Sequence, residues 1–187
     1  MMREFNRSWK DFKALIATPV LPPLGPTPRS GRLPLLELSQ RSDRFLADSN
    51  LPAAIHPSIR SAAFLWHDYL DESHTISQHI PGADGSVLHG IMHRREPDYP
   101  NAKYWFHRAG KHRSFSDIAG QVKRLLAMKG ETELAEKLAP RGDWDPIAFV
   151  DACQQAAQWP LSDARVQTLQ AIQEIEFDCL LTHLFAG

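Results

Sequence analysis

Along most of the chain, apolar residues recur three or four positions apart, the period of a buried helix face. Residues 56–74, HPSIRSAAFLWHDYLDESH, place Ile59, Ala62, Ala63, Trp66, Tyr69 and Leu70 on one stripe, and Pro57 suits a first turn. A second helix over 84–96, DGSVLHGIMHRRE, is stopped by Pro97, and a third, YPNAKYWFHRA, ends at Gly110. SFSDIAGQVKRLLAMKG runs from a Ser cap to Gly130, and ETELAEKLA closes before Pro140. DPIAFVDACQQAAQW opens with Asp145 as cap and Pro146 in the first turn. SDARVQTLQAIQEIEFDCLLTHLF is the longest helix and closes the chain. Alternating β-branched and aromatic runs are absent. The pattern predicts an all-α fold, a single irregular helical domain of about six or seven helices over residues 36–187.

Residues 1–35 read differently. Phe5, Trp9, Phe12 and Ile16 fall at helical spacing, with Arg3, Arg7, Lys10 and Lys13 around them. This predicts a short basic amphipathic helix that docks on its own domain or on a second subunit, the latter giving a homodimer through the N-terminal arm. Residues 18–34 hold six of the fourteen prolines, so this stretch is neither helix nor central strand. It is expected to be extended, as a linker or as an arm laid over the domain. LLELSQRSDRFLAD follows as a short helical segment.

Composition narrows the class. With 187 residues, 43% of them hydrophobic and 23% charged, the chain can build one domain with a real core. A net charge of −1 argues against a committed nucleic-acid binder. No run approaches the roughly 18 apolar residues of a membrane span, and the N-terminus lacks the apolar core of a secretory signal. A cytoplasmic protein made without a cleaved leader is expected. Cys153 and Cys179 lack C-x-x-C spacing and read as small core residues. Phosphate-loop, dinucleotide and nucleophile-elbow signatures are absent from the sequence.

Charge is unevenly spread. Between His89 and Arg113 six cations (Arg94, Arg95, Lys103, Arg108, Lys111 and Arg113) face only Glu96 and Asp98. Three readings of this stretch compete. His89 and His93 stand four apart and share a helix face, with Glu96 seven from His89. His67, Asp71 and His74 line one face of the preceding helix if it is continuous. Glu176 falls on the buried stripe of the last helix, where it needs a metal, an Arg or His183 as partner. Such His/carboxylate sets suit Zn or Fe. The second reading makes the arginines a pocket for a small anionic ligand or a protein partner's acidic peptide. The third is architectural: Glu96 paired with an Arg near the helix end, and cations favoured there by the helix dipole.

The phrase HGIMHRREPDYPNAKYWFHRA resembles one tetratricopeptide-type hairpin, with Gly90, Tyr99, Ala102, Phe106 and Ala109 at matching spacing over some 25 residues. The resemblance implies two closely packed helices at Gly90 and Ala102. No second copy follows, so a repeat solenoid is not implied. The same phrase also resembles a stretch of uncharacterised microbial and fungal proteins, which implies a family and no activity.

The leading expectation is a non-catalytic binding module whose anionic ligand meets Arg94, Arg95, Arg108, His93 and Tyr99. The rival is a metal-dependent enzyme using His89, His93, His67, His74, Glu96 and Glu176, with Zn or Fe as Lewis acid or source of hydroxide.

Overall fold

Caps and prolines decide where the helices begin. In a computed structural model, which describes residues 9–186, ten α-helices follow one another: α1 Trp9–Leu15, α2 Leu35–Ala47, α3 His56–Trp66, α4 Leu70–Ser77, α5 Gly82–Arg95, α6 Tyr99–Ala109, α7 Phe115–Met128, α8 Thr132–Leu138, α9 Pro146–Ala156 and α10 Ala164–Ala186. No strand occurs among the described residues. Asp145 caps α9 as expected, its carboxylate accepting from the Ile147 and Ala148 amides. Asp98 caps α6 in the same way through Asn101 N–H.

The helix count exceeds the expected six or seven for two reasons. The short α1 and α2 are both formed, and the 56–74 segment is two helices rather than one. Asp68 breaks it, with φ of 63°, a left-handed conformation that Asp tolerates better than most residues. The break is held by charge. The buried Asp68 carboxylate takes Arg29 at 2.8 Å and Arg95 at 2.6 Å.

Two apolar clusters fill the molecule. One joins Phe12, Leu38, Ile59, Leu65, Leu88, Ile91 and Phe106 to the distal half of α10 at Phe177, Leu180 and Leu184. The other joins α7, α8 and α9 to the proximal half of α10 at Val166, Leu169 and Ile172. Burial on several sides of α10 makes it the shared spine, 23 residues or about 35 Å long. The hairpin of α5 and α6 packs tightest at Gly90. A Cβ there would come within 3.0 Å of the Phe106 ring, so the absence of a side chain sets the helix separation.

The N-terminal segment lies on its own domain. Phe12 packs 5.1 Å from Phe45 and 5.9 Å from Phe185 (ring centroids), and Lys13 bridges Glu174 and Asp178. Phe5 lies outside the described residues. The proline-rich segment is an arm laid over the domain. Because prolines offer carbonyls and no amide donors, donors on the domain reach to them: Gln173 to Pro22 and Pro23, and Arg95 Nε to Pro23. His67 holds both ends of the arm. Its Nδ1 accepts from Leu33 N–H at 3.1 Å, and its Nε2 then donates to the Ile16 carbonyl at 2.9 Å.

Candidate metal centre

Three imidazoles converge where α4 meets α5. His74 comes from α4, and His89 and His93 from successive turns of α5. One ring nitrogen of each lies within 4.8 Å of the others. Ring centroids are 4.7 Å apart for His74 and His89, 5.3 Å for His74 and His93, and 4.8 Å for His89 and His93. His89 and His93 are buried, while His74 is half-buried and forms the open side.

The surrounding hydrogen bonds orient the rings. Ser77 Oγ donates to the His74 carbonyl and so accepts from His89 Nδ1–H at 3.3 Å. This leaves His89 Nε2 with its lone pair. His93 Nδ1 donates to Glu96 Oε2 at 3.0 Å, the carboxylate–imidazole pairing that typically backs a metal ligand. His93 Nε2 therefore carries the lone pair, which the Asn101 side-chain amide meets at 3.0 Å and would yield to a cation. Trp105 stacks on His89, with centroids 4.1 Å apart and planes 25° apart, and fixes the tilt of that ring.

Electrostatics favours neutral rings. Burial, together with the charges His93 and His74 would carry, pushes His89 down to about 4. Burial also lowers His93, and Glu96 only partly opposes it. Both shifts favour the deprotonated ring that metal binding requires. Ring nitrogens of His74, His89 and His93 gathered within 4.8 Å can be bonded by one shared cation. Three protein nitrogens plus an open side match the donor set of a catalytic rather than a closed structural zinc site. Imidazole donors equally suit Fe(II) or Ni(II).

The other anticipated site residues lie elsewhere. His67 sits beyond the break at Asp68, so it does not share a face with His74 and instead clamps the arm. Glu176 is buried and paired with Arg94, Oε1 at 3.0 Å and Oε2 at 2.5 Å, so its expected partner is the arginine rather than a metal. His183 is instead near Asp84, at 3.7 Å. Glu96 was expected to pair with an Arg and pairs with His93, because both neighbouring arginines point inward.

Those arginines do not converge on a pocket. Arg94 and Arg95 are both 0% exposed. Arg94 turns to Glu176 and Gln173, while Arg95 turns to Asp68 and the Leu65 and Pro23 carbonyls. Arg108 is on the surface, 5.3 Å over the Trp105 ring, and Tyr99 is half-buried against the main core. Lys103 pairs with Asp151. Arg94, Arg95 and Lys103 are thus each taken up by a carboxylate of their own.

Ser77, Asn101 and Trp105 were not anticipated at this site. The signal for the last two was in the hairpin itself. A tight pairing of α5 with α6 at Gly90 brings the start and middle of α6 beside His93 and His89.

No helix among the described residues is long and apolar enough to cross a membrane. Comparison of the chain with protein-family models, with curated proteins and with solved structures finds no match, so the chemistry is read from its own residues.

Proposed function

We propose that this all-helical protein is a metal protein whose centre is the His74, His89 and His93 trio, holding one divalent transition ion, Zn2+ or Fe2+. The observation that carries the reading is the convergence of three ring nitrogens within 4.8 Å from two helices. Glu96 orients His93, Ser77 orients His89, and Trp105 buttresses His89. With three protein ligands and the half-exposed His74 side open, the ion keeps positions for water or substrate. Held by His74, His89 and His93, such an ion would supply Lewis acidity or a bound water of lowered pKa. The class this supports is metal-assisted hydrolysis or hydration.

The anionic-ligand reading is less well supported, since it needs Arg94 and Arg95 at a surface and both are buried in ion pairs. The test is elemental analysis of protein purified without a polyhistidine tag, beside a His89→Ala/His93→Ala variant. The folded variant is expected to hold one equivalent of Zn or Fe less than the parent. A metal-free parent that also fails to take up added Zn2+ overturns the reading.

A further inference from the structure

We propose a second, separate divalent-cation site, formed by Asp84, His112 and His183. These three come from parts of the chain far apart in sequence: the first turn of α5, the loop between α6 and α7, and the last turn of α10. Their ligand atoms again lie within 4.8 Å of one another. Both imidazoles address the same carboxylate oxygen. His112 Nε2 is 2.7 Å from Asp84 Oδ1, and His183 Nε2 is 3.7 Å from it. The second distance is too long for a hydrogen bond, so His183 faces the carboxylate without closing on it. The rings stand nearly perpendicular, at 83° with centroids 5.1 Å apart, edge to face rather than stacked.

Two histidines and one carboxylate form a donor set used by Fe(II) and, with water, by Zn2+. Side-chain exposures of 31% for Asp84, 14% for His183 and 2% for His112 put the open side at Asp84, where waters complete the coordination. Ser114 supplies the orienting contact. Its Oγ lies 2.7 Å from His112 Nδ1, and its amide N–H donates to the same nitrogen at 3.2 Å. In the metal-free protein His112 therefore carries its proton on Nε2 and donates it to Asp84. A cation at Nε2 would leave the ring proton on Nδ1, which would then donate to Ser114 Oγ while the Ser114 amide N–H gives up its bond to that nitrogen. The ring stays neutral, no proton is released from it, and Asp84 exchanges a hydrogen bond for a metal bond. Ser114 is 1% exposed and is no nucleophile despite its place beside a His–Asp pair.

The site would tie the end of α10 to the starts of α5 and α7. It does not depend on the His74, His89 and His93 centre, and the test separates the two. Protein stripped with a chelator is titrated calorimetrically with Zn2+, and bound zinc is counted after desalting. Two equivalents are expected for the parent and one for His89→Ala/His93→Ala. One is also expected for Asp84→Asn, and none when the three substitutions are combined. Asp84→Asn is nearly isosteric and partly exposed, so folding is preserved; His183→Ala, checked by circular dichroism, is the second probe. The proposal is overturned if His89→Ala/His93→Ala binds no zinc, or if Asp84→Asn and folded His183→Ala keep the parent's count. An unchanged count in His89→Ala/His93→Ala would instead sink the first centre and leave this one standing.

Discussion

On α5, His89 and His93 sit beside Arg94 and Arg95, and the fold treats the two sets in opposite ways. The arginines are buried with their counter-charges. Glu176 is at 2.5 Å from Arg94, and Asp68 at 2.6 Å from Arg95. The histidines are buried among one another, with carboxylates only at His93, where Glu96 at 3.0 Å and Asp98 at 3.9 Å both lie near the surface. Each arginine meets a buried carboxylate, whereas the histidine set brings ring nitrogens together within 4.8 Å without such a counter-charge at its centre. The lesson is that local charge density does not predict which side chains face water. Two adjacent arginines can go into buried ion pairs, while the less charged rings beside them gather with one another.

That contrast breaks first at the arginines. Arg94→Met or Glu176→Gln leaves one buried partner uncompensated, and urea denaturation should show a loss of about 3–5 kcal/mol. Replacing both partners by apolar residues of similar volume should recover most of it. Full stability in either single variant would mean the pair is not the structural element described. Next comes the hairpin that carries both sets. Gly90→Ala pushes a Cβ against Phe106 and should cost about 1–3 kcal/mol, with Phe106→Leu in the same chain restoring part of it.

The arm clamp gives a pH dependence. Burial holds His67 at about 4, well below its ordinary value of 6.5. The unfolded chain therefore binds a proton that the folded chain refuses between those values. The stability that the neutral ring contributes is full above about 6.5 and falls away as pH drops towards about 4. His67→Gln should flatten that part of a denaturation-versus-pH curve, and an unchanged slope would place the titration elsewhere. The smallest stability effect is expected at the rim of the histidine set. Arg108→Ala should move the midpoint by no more than about 0.5 kcal/mol, since a surface cation over an indole contributes little. A larger loss would make Arg108 part of the fold.

Much of the helical frame was legible. Pro97 and Gly110 bracket the hairpin turns, Asp145–Pro146 marks the start of α9, and Gly90 announces a close helix contact. The break at Asp68 was not, because no Gly or Pro marks it. Its left-handed backbone is held by Arg29 and Arg95, both remote in sequence. That single omission put His67 and His74 on one continuous face. His89 and His93 were legible from their spacing, and His74 joined them through a helix restarted at Leu70. Glu176 was seen to need a buried partner, but the identity of Arg94 depends on how α10 crosses α5, which local pattern does not encode. The inward turn of both arginines was hidden for the same reason. At the end of a helix, sequence alone does not say which cation faces water.

His67 receives both ends of the proline arm on one imidazole, the Ile16 carbonyl and the Leu33 amide. The segment between them is therefore a closed loop, fixed again within its span at Pro22, Pro23 and Arg29. Lengthening such a loop costs chain entropy that grows only logarithmically, about 0.6 kcal/mol per doubling. Residues inserted at the exposed Pro26–Pro28 tip should thus be tolerated, and the span can drift in length while the two anchoring atoms stay in register.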